Sequence, residues 1–213
     1  MDELVAVASN HDIRVPAKEP LASLPIPVQR WLNKSGILDR IIPISHVFMT
    51  QAYQIKLKPE QKDWYPVKAH QLSTISPPSF LWSVEVDMIP LVKVYGKDTF
   101  SAGGAGMLFS TGGIRDVINE KSGSKLNEAA LQRYMSELVW YPSAAFSPWI
   151  SWEALDDWRA KARMVDGNME GEGIFTFNDL GNVVRFETLR FKDTAEGAER
   201  IPWIITVLEN KTF

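Results

Sequence analysis

Two residues open the search for chemistry: Arg133 and Glu137, a guanidinium and a carboxylate four positions apart with Tyr134 between them. On a helix that spacing puts both on one face, where they pair with each other or hold a polar ligand together. An exposed pair of this kind contributes only about 0.3–0.5 kcal/mol, so the structural use is the commoner one. Arg190 is the second cation of interest. Alternation along its strand puts Arg185, Glu187 and Leu189 on one face and Phe186, Thr188 and Arg190 on the other. If the Phe186 face is inward, Arg190 needs a partner such as Glu137 or an anionic ligand. Trp82 offers an aromatic platform on the apolar face of its strand. Trp140 begins a group with Trp149, Trp152 and Trp158, which serves either as a lid on the core or as a grip on a partner. The candidate ligand-binding residues are therefore Trp82, Arg133, Tyr134, Glu137, Trp140 and Arg190.

Other chemistries lack their signatures. There is no GxxxxGK[ST] phosphate loop, and Gly103-Gly104-Ala105-Gly106 opens no helix, so it reads as a glycine-kinked strand. His11, His46 and His70 have no zinc spacing. No GxSxG elbow occurs, and Asp98, Asp116, Asp156 and Asp157 are scattered. No catalytic residue, metal or cofactor is assigned.

The elements that must position these side chains are mostly strands. Residues 1–23 are rich in proline and read as an extended lead-in. A short helix follows Pro27, with Val28, Trp31 and Leu32 on one face and Gly36 at its stop. Strands are expected over Ile44–Leu57, Trp64–Ile75, Phe80–Met88, Leu91–Tyr95 and Thr99–Ser110. One long helix is expected over about 127–140, with Asn127 as N-cap and Leu131, Tyr134, Met135 and Leu138 as its apolar stripe. A meander ends the chain, turning at Asp166-Gly167-Asn168 and at Asn178–Gly181. Such short connections imply antiparallel pairing. The fold class is thus α+β, mostly antiparallel: one curved sheet or half-barrel with a long helix and a short N-terminal one, a single domain over 24–213.

Composition narrows the function classes. With 213 residues and 45% hydrophobic, the chain can bury a core unaided. It has no cysteine, so neither disulfides nor thiol chemistry arise. A net charge of −3 leaves no basic footprint for nucleic acid. No apolar run is long enough to span a bilayer as a helix. The acidic start, Asp2 and Glu3, is unlike a secretory signal. The expected location is the cytoplasm, or a soluble part of a membrane-associated protein.

A set of short motifs occurs in order: Leu24-Pro25-Ile26-Pro27-Val28-Gln29-Arg30-Trp31-Leu32, Trp64-Tyr65-Pro66-Val67, Phe80-Leu81-Trp82, Arg133-Tyr134-Met135-Ser136-Glu137-Leu138-Val139-Trp140-Tyr141-Pro142, and Trp152-Glu153-Ala154-Leu155-Asp156-Asp157. The set resembles a bacterial family of uncharacterised proteins with an LPxPVxRYL opening and an RYLxExxWxP helix. The resemblance implies a fold similar to the curved half-barrel of lipoprotein carriers, with a helix in its concave side. It brings no catalytic residue. Members often have membrane-spanning segments ahead of the domain and continue further at the end, which implies either a shortened chain or a divergent short member.

The expected function is a non-catalytic binding module for a hydrophobic or lipid-like ligand in the concavity of the sheet. The alternatives are an enzyme with a polar pocket around Arg133, Glu137 and His70, or an interaction domain that uses the tryptophan-rich loop. Oligomeric state is left open.

Overall fold

A computed structural model of the chain describes residues 21–40, 44–56, 60–89, 92–112 and 115–210. Most of the lead-in, including His11, lies outside the described residues. Helix α1 (Ile26–Lys34) starts with prolines in its first turn and buries Val28, Trp31 and Leu32. Proline suits this place because the first N–H groups of a helix lack intrahelical partners anyway.

Six strands follow: β1 (His46–Ile55), β2 (Tyr65–Thr74), β3 (Ser79–Ile89), β4 (Val92–Ser101), β5 (Gly104–Thr111) and β6 (Arg115–Lys121). They form one antiparallel meander in sequence order. Helix α2 (Ser124–Ser136) then crosses the molecule and tightens into a 3₁₀ turn over Glu137–Trp140. Five more strands, β7 (Ile150–Ala154), β8 (Arg159–Asp166), β9 (Met169–Phe177), β10 (Val183–Phe191) and β11 (Arg200–Thr206), form a second meander, ordered β11-β10-β9-β8-β7. The α+β, antiparallel class is as expected. The strands divide between two sheets, where a single curved sheet was expected, because α2 and the turns after it separate β6 from β7.

Helix α2 lies between the sheets and buries Leu126, Ala130, Leu131, Tyr134 and Met135. A chain of rings joins the first sheet to the end of the helix: Phe80 to Phe100 at 5.8 Å, Phe100 to Tyr134 at 5.8 Å, and Tyr134 to Tyr141 at 5.2 Å. A second group on the other sheet joins Trp152 to Phe175 at 5.3 Å and Phe175 to Phe186 at 4.8 Å. All but the half-buried Trp152 are buried, and burying a phenylalanine side chain contributes about 1.5–3 kcal/mol, so the ring groups anchor both sheets to the centre.

Three local expectations change. Helix α2 begins at Ser124, one turn earlier than expected, with Gly123 at its N-cap position. Asn127 is inside the first turn, and its side-chain oxygen accepts the Ala105 N–H at 2.8 Å, pinning the helix to the start of β5. The run 99–110 is a hairpin rather than one kinked strand: Ser101 pairs with Gly104. Gly104 has φ +109° there, and a Cβ would meet Ser122 and Asn127, so only glycine fits. Strands β6 and β7 were not foreseen, since their sequences lack a long alternating apolar pattern.

Candidate functional site

The first polar centre lies between α2 and the inner face of the first sheet. All three guanidinium nitrogens of Arg133 donate to protein acceptors: Nε to Glu137 Oε1 at 3.1 Å, Nη1 to Asp98 Oδ2 at 2.8 Å, and Nη2 to Gln71 Oε1 at 3.0 Å. Gln71 is fully buried and returns its Nε2 to Glu137 Oε2 and to Ser73 Oγ. The guanidinium also stacks on Phe80 and Trp82, 4.7 and 4.8 Å from the ring centres. Trp82 is held in turn by its Nε1, which donates to Gln51 Oε1 at 2.9 Å. Helical spacing supplies Arg133 and Glu137, and strand alternation supplies Gln71, Trp82 and Asp98 from three neighbouring strands.

Burial pushes the carboxyls of Asp98 and Glu137 up from their ordinary acidity, and Arg133 opposes the shift in both. Asp98 Oδ1 is buried with no hydrogen-bond partner. Arg190 adds a second cation within electrostatic reach of both acids. Burial, then repulsion from Arg133, lowers its pKa to about 10. Its Nε donates to Ala129 O at 3.1 Å, and its guanidinium lies 4.5 Å from the Trp203 ring centre.

The second centre is a cleft of about 730 Å³ on the second sheet. Its apolar wall comes from Ile174, Leu189, Pro202 and Ile204, all pointing away from the core. Cross-strand pairing sets them in rows: Lys161 beside Ile174, Ile174 beside Glu187, and Glu187 beside Ile204. Leu189 on β10 is 58% exposed and Ile204 on the edge strand β11 is 48% exposed. Charged side chains surround this wall. Arg163 pairs with Glu170 at 2.6 Å, and Arg200 pairs with Glu128 through two bonds of 2.7 Å.

The sequence model of a family of unknown function, DUF6544, matches residues 14–213. The chain belongs to this family. No curated protein and no solved structure gives a significant match to it. Membership in the DUF6544 family therefore brings no activity and no ligand.

Of the six residues singled out from the sequence, Trp82, Arg133 and Glu137 meet in one network, and Arg190 stands near it on the inner face, as its alternation suggested. Tyr134 lies behind them in the core, its hydroxyl donating to Thr74 O at 2.9 Å. Trp140 is away from the network and 48% exposed. His70 does not join the proposed polar pocket: it is on the outer face of β2, stacked 6.0 Å from Phe48, while its neighbour Gln71 points inward. The tryptophan-rich loop splits in function. Trp149 and Trp152 pack on the core, with Trp152 Nε1 donating to Ala145 O at 3.1 Å. Trp158 is 44% exposed and carries the Arg30 guanidinium over its ring. Sequence reasoning missed Gln71 and Asp98 as network members. Asp98 alternates with Phe100 on β4, a signal that placed it inward. Among the described residues no three or more His, Asp or Glu side chains cluster to hold a metal ion, and no helix is long and apolar enough to cross a membrane.

Proposed function

We propose that this domain is a non-catalytic binding module for a hydrophobic or lipid-like small molecule. The observation that carries this reading is the cleft on the second sheet, not the Arg133 network. Ligand sites commonly have volumes of about 300–1,000 Å³, apolar walls and a few placed polar groups, and the cleft has all three features. The Arg133 network, by contrast, satisfies its own donors and acts as a pin between α2 and the first sheet.

Native mass spectrometry of the purified protein, before and after incubation with a lipid extract, tests the reading. The expected result is a 1:1 adduct that disappears in the variant Leu189→Glu, which places a charge on the exposed apolar wall without disturbing the core. An apo mass under both conditions, or an adduct indifferent to Leu189→Glu, would contradict it.

A further inference from the structure

The cleft has a charge character that narrows its ligand. Four acids, Glu128, Glu170, Glu172 and Glu187, line it against three bases, Lys161, Arg163 and Arg200. The bases are already committed: Lys161 to Glu153 at 2.6 Å, Arg163 to Glu170 and Arg200 to Glu128. Glu187 is held by Arg185 at 2.7 Å. Glu172 is the acid left over. It stands across the strands from Arg163 and within electrostatic reach of Lys161, yet among the described residues it makes no salt bridge.

A second, independent feature points the same way. Gln132, 98% buried by its 2% exposure, also lines the cleft. Its Nε2 donates to Thr188 Oγ1 at 2.9 Å and to Leu189 O at 3.0 Å. Thr188 spends its own proton on Glu172 O at 2.6 Å, so the amide is fixed with its nitrogen toward Thr188. The oxygen, Oε1, is left with no protein donor. A buried acceptor without a donor is uncommon in a folded protein. The cleft thus combines an apolar wall and an unpaired carboxylate, has among its lining residues one whose buried amide oxygen no protein donor satisfies, and lacks an uncommitted cation.

We infer that the ligand of this cleft is an amphiphile with a protonated amine head group, its apolar chain on Ile174, Leu189 and Ile204 and its head at Glu172. The inference rests on the binding reading above. An anionic head, such as a fatty acid carboxylate, would face Glu172 and would gain a base only by displacing Glu153, Glu170 or Glu128 from its pair.

Isothermal titration at neutral pH with decylamine, decanol and decanoate, each below its aggregation concentration, separates the possibilities. Decylamine is expected to bind at least about tenfold more tightly than the other two, and Glu172→Gln to bring it to the level of decanol. Asp179→Asn, which removes an exposed acid outside the cleft, is expected to keep the preference and so exclude a general charge effect. Equal or tighter binding of decanol or decanoate overturns the amine inference but leaves the binding module standing. A preference that survives Glu172→Gln, or that falls equally in Asp179→Asn, overturns the role of Glu172. Failure of all three to bind removes the binding reading itself.

Discussion

The two polar regions of this protein use the same residue types for opposite ends. Around Arg133, charges are buried and bonded to one another, with Gln71 and Trp82 holding them in place. On the second sheet, Lys161, Arg163 and Glu172 lie at the surface beside exposed Leu189 and Ile204. The difference is solvent. A charge taken out of water needs its partner, so the buried network is rigid and costly to break. Exposed pairs are worth little and rearrange cheaply, which leaves the cleft free to accept something else. A conspicuous ionic cluster is therefore the poorer guide to function here, and the plain sheet face the better one.

The largest expected effect comes from breaking the buried side of this comparison. Arg133→Leu leaves Glu137 and Asp98 without their cation, and urea denaturation is expected to show a loss of about 3–5 kcal/mol. Next in size is Gly173→Ala. Its new Cβ would lie less than 3.0 Å from Cζ of the Phe186 ring, and overpacking of that kind costs about 1–3 kcal/mol. The same denaturation measurement checks it.

Titration sharpens the contrast. The Asp98 carboxyl is pushed up on folding, so the folded chain holds this proton more tightly than the unfolded one. Its contribution to stability is full below the unfolded value and is lost as pH rises through the folded value. Stability measured upward from about pH 4, the ordinary carboxylate range, is expected to fall more steeply in the wild type than in Asp98→Asn. The smallest effect belongs to the cleft rim: Glu170→Ala, which frees Arg163, is expected to change stability by less than about 1 kcal/mol.

Much of this architecture was legible in the sequence because burial imposes periodicity. Phe80, Trp82, Val84 and Val86 alternate with polar residues, and the structure buries all four. Helical spacing likewise paired Arg133 with Glu137. The network's other members were harder to see: alternation with Ala69 and Phe100 puts Gln71 and Asp98 on inner faces, but they come from different strands and no local pattern shows that they meet. The cleft was not legible at all. Ile174, Leu189 and Ile204 become neighbours only through the register of β9, β10 and β11, and alternation alone calls such positions solvent-facing. The division into two sheets was hidden for a similar reason: it depends on where α2 crosses, not on any strand's own sequence.

Mapping a neutral amphiphile on the folded protein tests the central claim most directly. In a titration of the ¹⁵N-labelled chain with decanol, followed by amide chemical shifts, the account predicts the largest changes at Ile174, Leu189 and Ile204, with Gln71, Asp98 and Arg133 unmoved. Largest changes around Arg133 and Asp98, or none anywhere, would contradict it.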